Sequence, residues 1–145
     1  MFELTITILV GIFGGVAVGT QATISAQMSR RVGGAASSLI IHFGGAITSA
    51  VLLVVRGGEQ LQNWRKLSWY MWAAGALGLV LFLSLTRTMP RLGAATALVL
   101  VIIGQLSVGM LIDHLGLFGV PVRHADGSRV VAAALLITGG YLMTR

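Results

Sequence analysis

GAATALVLVIIGQLSVGMLIDHL, residues 93–115, is an apolar run interrupted by one amide, Gln105, near its middle and by Asp113 and His114 at its end. About 20 residues of α-helix, rising 1.5 Å each, cross a hydrocarbon core about 30 Å thick. The stretch is therefore long enough to span a bilayer. It also carries polar groups that hydrocarbon penalises, and both features recur along the chain.

The chain has 145 residues, 56% of them apolar and only 10% charged, where a soluble domain carries about a quarter charged residues. Its mean hydropathy is +0.91, and the apolar residues fall in long blocks between short basic patches. Five blocks read as spans: Leu4 to Gln27, Ala35 to Val55, Trp69 to Leu85, Gly93 to Leu115 and Val130 to Met143. The expected fold is an all-α integral membrane protein with five transmembrane helices in one membrane domain, residues 1–145. The fifth block is short, so it must tilt little, sit where the bilayer thins, or extend into Ser128 and Arg129. The linkers Met28 to Gly34, Arg56 to Ser68, Thr86 to Leu92 and Gly116 to Arg129 are too short for a further domain, and both prolines, Pro90 and Pro121, fall in them. Trp64, Trp69, Tyr70, Trp72 and Tyr141 flank the apolar blocks, as interfacial anchors do.

Several classes are excluded. There is no cysteine, which removes disulfides and thiolate chemistry. The net charge of +6 is scattered over every polar break, so no basic stripe follows a nucleic-acid backbone. A cleavable leader is not expected, because the first charge is Glu3 and the apolar run is too long. No phosphate loop, paired carboxylates, metal-ligand spacing or nucleophile elbow marks an enzyme, and no cofactor is expected.

Five spans place loops alternately on two sides. Arg56, Arg65, Lys66, Arg123 and Arg129 then share the side of the N-terminus, with Arg30, Arg31, Arg87, Arg91 and Arg145 opposite. Five basic residues on each side leave the positive-inside rule without a preference. Such a chain is expected to insert both ways and to pair as an antiparallel homodimer of ten helices. Inverted halves of that kind supply the two access states of many secondary transporters.

Ionisable and amide side chains inside spans usually face a bundle interior or a water-filled path. On the first helix Gly14, Ala17, Gln21 and Ser25 share a face; on the second Ser38, His42, Gly45 and Ser49 do; on the fourth Gln105, Gly109 and Asp113 do. Gln21, Ser25, His42 and Gln105 are candidate solute ligands, against the plainer reading of helix-to-helix hydrogen bonds, or of a histidine held by a backbone carbonyl. Asp113 and His114 are candidates for gating or coupling, with Asp113 pairing with a basic group such as Arg123 or His114. Gly116 suits a helix C-cap. Gly11, Gly15 and Gly19, four apart, form a groove for a neighbouring helix. No acid lies mid-helix, so a polar neutral, zwitterionic or anionic solute fits better than a lipophilic cation.

The stretches GTQATISAQM (Gly19 to Met28), PRLGAAT (Pro90 to Thr96) and GQLSVGMLIDHLGLFGVP (Gly104 to Pro121) resemble the YdcZ-like family of short proteins in the drug/metabolite transporter superfamily, nearly end to end. The resemblance implies five helices per chain, assembly of two half-length units, a multi-pass inner (plasma) membrane protein and transport of a small solute. Where the family commonly carries Gln and Asn four residues apart on the first helix, this chain has Gln21 and Ser25. The expected partners are lipid, a second antiparallel copy or a paralogous subunit, and a small-molecule solute. A non-transporting accessory subunit is the alternative from another class.

Overall fold

A computed structural model describes residues 2–145 and is 87% helical. Five α-helices occur in chain order: α1 (Phe2–Val32), α2 (Gly34–Val55), α3 (Trp69–Leu92), α4 (Ala94–Leu115) and α5 (Gly127–Met143). Short 3-10 turns at Leu61–Lys66 and Leu117–Gly119 interrupt the longer connections. Helices α1 to α4 are long and apolar enough to cross a membrane, and α5 is a shorter apolar helix of 17 residues. Large apolar side chains line the helix exteriors: Phe13, Leu39, Val54, Leu77 and Leu135 are all exposed. That surface is stable only against lipid, which places the chain in the membrane as a multi-pass protein.

Two expectations about linkers are corrected. Met28 to Gly34 is helical except for Gly33, and Thr86 to Leu92 is helical throughout, so α1 and α3 each run past the end of their apolar blocks. Hydropathy falls at Arg30, Arg31, Arg87 and Arg91, but arginine is a good helix former, and basic residues favour a helix C-terminus through the dipole. Pro90 lies inside α3, not in a linker. Near the C-terminal end its missing N–H removes only the bond to the Thr86 carbonyl. The break is made instead by glycine at φ 87°, ψ 157° (Gly33) and φ 82°, ψ 162° (Gly93), a region closed to other residues.

Lipid-facing hydroxyls are satisfied within their own helices. Thr7, Thr20, Thr48 and Thr138 donate to the carbonyls of Glu3, Val16, Gly44 and Ala134, and Ser107 donates to Ile103, at 2.8–3.0 Å. This back-bonding lets a hydroxyl face hydrocarbon without an orphan donor.

The chain divides into two compact units, one ending at Arg87 and one comprising Thr88–Arg145, with α3 running through the border. In the first unit α1 and α2 form a hairpin around small residues. Ala22, Ser25 and Ala26 on α1 and Ser37 and Ser38 on α2 are buried, and Ser37 Oγ donates to the Ser25 carbonyl at 3.4 Å. Small side chains let the two backbones approach closely. Gly34 faces Leu83, and Gly78 faces His42, so α2 and α3 run antiparallel. At the aromatic end Trp64 meets Trp72 edge-on at 6.0 Å, and Arg65 lies over Trp64.

In the second unit α4 and α5 are antiparallel. Thr96 Oγ1, at the start of α4, donates to the Met143 carbonyl at 3.1 Å. A Cβ on Gly140 would lie 2.5 Å from Ile103 Cδ1 and 3.1 Å from Val99 Cγ1, so glycine is what allows α5 to sit this close. Helix α5 begins at Gly127, three residues before the apolar block, because Asp126 caps it by accepting from the Arg129 amide at 2.9 Å.

Candidate functional site

Two open grooves carry the candidate ligands, one in each unit. The first holds about 390 Å³ among α1, α2 and α3. Its polar wall is Gln21 and Ser25 from α1 with His42, Gly45 and Ser49 from α2; Gly78, Phe82 and Leu85 of α3 supply much of the apolar wall. Thus the helical stripes of α1 and α2 meet across the same space. Gln21 and His42 lie twelve and nine residues from Gly33, so at 1.5 Å per residue they sit about 14–18 Å from the junction, near mid-bilayer depth.

His42 is held by its own helix. Its Nδ1 lies 2.8 Å from the Ser38 carbonyl and 3.2 Å from Ser38 Oγ. The carbonyl can only accept, so Nδ1 carries the proton and donates to it. The ring stands edge-on to Phe82 at 6.1 Å, and Nε2 points toward Gly78, 3.5 Å from where a Cβ there would lie. In the neutral ring, fixing Nδ1–H leaves Nε2 as the acceptor, and it has no hydrogen bond among the described residues. The backbone-carbonyl reading of this histidine therefore accounts for one nitrogen and leaves the other facing the groove.

Ser25 is buried and its Oγ donates to the Gln21 carbonyl at 2.6 Å, so its remaining capacity is as an acceptor. The Gln21 side chain is exposed and makes no hydrogen bond among the described residues.

The second groove, about 590 Å³, lies between α4 and α5 and is lined by Gln105, Gly109, Asp113, Arg129 and apolar neighbours. Gln105 lines this groove. It too is exposed and without a hydrogen bond among the described residues. Asp113 Oδ2 pairs with Arg129 Nη1 at 3.3 Å. A basic partner such as Arg123 or His114 was expected for Asp113; the basic group is Arg129, and Arg123 instead offers its backbone amide, which donates to the Asp113 carbonyl at 2.8 Å. The reason is the turn at Gly116, at φ 63°, ψ 30°, whose amide donates to the Ile112 carbonyl. A Cβ there would lie 2.8 Å from Val122 Cγ2, so glycine is required both for conformation and for space. The turn folds the loop back over the end of α4, where backbone amides satisfy the open carbonyls. His114 Nδ1 accepts from the Ala125 amide at 3.3 Å, with the His124 ring edge-on at 5.3 Å.

At Gly11 and Gly15 the glycine groove of α1 meets no neighbour among the described residues. Nothing lies within 4 Å of a Cβ placed on Gly11 or Gly15; Gly19 is half-buried and its carbonyl accepts from Thr23 Oγ1. Gly140, whose close approach to α4 is the tightest glycine contact among the described residues, had no visible sequence signal, since its packing partners Val99 and Ile103 are 41 and 37 residues away. Phe82 was legible only through its spacing of four from Gly78.

No curated protein and no solved structure matches the chain. The model of a family described as "Putative inner membrane exporter, YdcZ" matches residues 6–142. That range takes in both grooves and the greater part of every helix, and the chain belongs to this YdcZ family of drug/metabolite transporters, as a multi-pass protein of the inner membrane.

Proposed function

We propose that the chain is one half of a secondary transporter, completed by an upside-down second copy, that moves a small polar or anionic solute by alternating access. The observation that carries this reading is the pair of exposed amides. Gln21 and Gln105 sit near the middle of their helices without hydrogen bonds among the described residues, where an unmet amide in hydrocarbon costs several kcal/mol. Water, solute or a partner subunit must meet them. The even distribution of basic residues over the two sides supports an inverted second copy as that partner, and the unfilled faces of Gly11 and Gly15 provide a surface for it.

In this reading the chain acts as one membrane domain. Gln21, Ser25 and His42 bind solute in the first groove, and Gln105 binds it in the second. The Nε2 of His42 accepts a proton or a solute donor. Asp113 and His114 gate or couple at the rim, where the Asp113–Arg129 pair opens and closes between α4 and α5. With no acid near mid-bilayer, the grooves suit polar neutral or anionic cargo.

A heterodimer with a paralogue is favoured by one observation, the length of α5. Seventeen residues rise only about 25 Å, and if α5 does not cross, Arg145 changes sides, the basic residues divide six to four, and orientation becomes fixed.

Purified protein in liposomes, assayed against a panel of solutes at two pH values, tests the reading. Saturable uptake with counterflow, lost in His42→Ala and in Gln105→Ala, is expected. Uptake that never saturates, or that both variants retain, would overturn it.

A further inference from the structure

Below the first groove, where α1 ends, α2 begins and α3 nears its end, the helices enclose a separate open groove of about 470 Å³ lined by Ser29, Arg30, Gly34, Leu83, Thr86 and Arg87. We propose that this groove binds a phosphate group, as the headgroup of an anionic phospholipid or as a soluble phosphate, through Arg30, Arg87 and the uncapped start of α2.

The electrostatics are one-sided. Arg30 and Arg87 are exposed, and among the described residues neither forms an ion pair. The chain has only four acids, Glu3, Glu59, Asp113 and Asp126, and none lines the groove. Two guanidinium groups with no counter-charge repel each other, and an anion bridging them relieves that repulsion. Phosphate matches them best, because its oxygens accept the paired N–H groups of each planar fork.

Backbone and hydroxyl donors add to the arginines. The Gly33 cap of α2 supplies no side-chain hydrogen bond, so the first amides of α2, beginning with Gly34, have neither an intrahelical nor a side-chain acceptor. Such an end favours an anion. Ser29 Oγ is buried without a partner. The carbonyl it would ordinarily take, that of Ser25 four residues back, already accepts from Ser37 Oγ. Ser29 is among the residues that line the groove, which makes its spare hydroxyl a further donor there. Gly34 keeps the floor open, since a Cβ there would lie 3.3 Å from Leu83 Cδ2 and 3.9 Å from Thr86 Oγ1. The groove lies at the basic ends of the helices, the level where lipid phosphates sit.

The site differs from a general attraction between basic loops and anionic lipid. Arg31 and Arg91 are close in sequence, equally charged and exposed, but do not line the groove. They are the internal controls.

The test uses the full-length protein in nanodiscs of phosphatidylcholine, to which either phosphatidylglycerol in the bilayer or inorganic phosphate in the buffer is added. Thermal unfolding and native mass spectrometry of retained lipid are read. One of the two probes should raise the unfolding temperature of the wild type by several degrees. Arg30→Gln and Arg87→Gln should lose most of that gain, Ser29→Ala part of it, and Arg31→Gln and Arg91→Gln little. Arg87→Lys, which keeps the charge without the fork, should fall between wild type and Arg87→Gln, and it guards against loss of the charge alone disturbing the fold. A gain from phosphatidylglycerol only identifies a lipid headgroup; a gain from inorganic phosphate identifies a soluble ligand. The proposal is overturned if neither probe shifts the wild type, or if the Arg31 and Arg91 variants lose as much as the Arg30 and Arg87 variants.

Discussion

Asp113 on the last turn of α4 and Arg129 on the first turn of α5 are joined side chain to side chain at 3.3 Å. Each charge opposes the dipole of its own helix, and each offsets the other. Both side chains are about a third or more exposed, at 40% and 34%, so solvent screens the pair and its contribution to stability is about 1 kcal/mol or less. Asp113→Asn should therefore move the unfolding temperature by no more than a few degrees. If the pair gates transport, the same variant should change the rate of uptake far more than it changes stability. A loss of uptake no larger than the loss of folded protein would end the gating role.

His42 and Gly78 give a second prediction. A methyl group on Gly78 would make ordinary contact, 3.5 Å, with His42 Nε2, while alanine is the better helix former. Gly78→Ala should fold at least as well as the wild type and still reduce uptake, by covering the nitrogen that faces the groove. Uptake kinetics beside a melting curve separate the two effects; unchanged kinetics would remove Nε2 from the binding reaction.

The contact at Gly140 predicts a rescue. Gly140→Ala places a methyl 2.5 Å from Ile103 Cδ1, and overpacking of this kind costs about 1–3 kcal/mol. Adding Ile103→Val removes the clashing atom and should recover much of the loss in the double variant. Gly11→Ala and Gly15→Ala, which meet nothing among the described residues, should leave the monomer's stability unchanged. If α1 packs on a second copy there, they should weaken dimerisation, as read by crosslinking.

At the start of α5, the Arg129 amide, followed by Ser128 Oγ, holds the Asp126 carboxyl below its ordinary value of 3.8. A group depressed in the folded state stabilises it above the ordinary value, and that contribution fades as pH falls through the folded value. The first turn of α5 should therefore keep its cap at neutral pH and fray in strong acid, while Asp126→Ala should fray at both. Hydrogen exchange at Arg129 and Val130 reports this directly. A pH-independent protection pattern would exclude the cap.

Orientation is open to chemistry because the chain has no cysteine. Gln62→Cys, in the exposed Leu61–Lys66 turn, should react with a membrane-impermeant maleimide from both faces of the membrane if insertion is dual. Labelling from one face alone would favour a paralogous partner instead of a second copy.

Hydropathy is additive along the chain, so the four long helices, their order and their membrane setting were legible in the sequence, and the expected bounds of α2 and α4 lie within one residue of those observed. The ends of α1 and α3 were not, because arginine ends an apolar count without ending a helix. Gln21, Ser25 and His42 were expected to face one cavity with Gln105, from polar stripes on separate helices, and the first three line one groove. Their convergence depends on the small-residue contact of Ser25 with Ser37, which sets how closely α1 approaches α2.

Sequence by itself thus determined the solvent, the helical class and the polar inventory, since each follows from composition and local periodicity. Tertiary structure alone decided which polar groups share a space. It brought Gln21, Ser25 and His42 to one groove, gave Asp113 the guanidinium of Arg129 in place of that of Arg123, and gathered Arg30 and Arg87 around the start of α2. Those outcomes turn on backbone geometry at a few glycines, Gly33 and Gly116 above all, whose left-handed conformations redirect the chain in ways that hydropathy does not register.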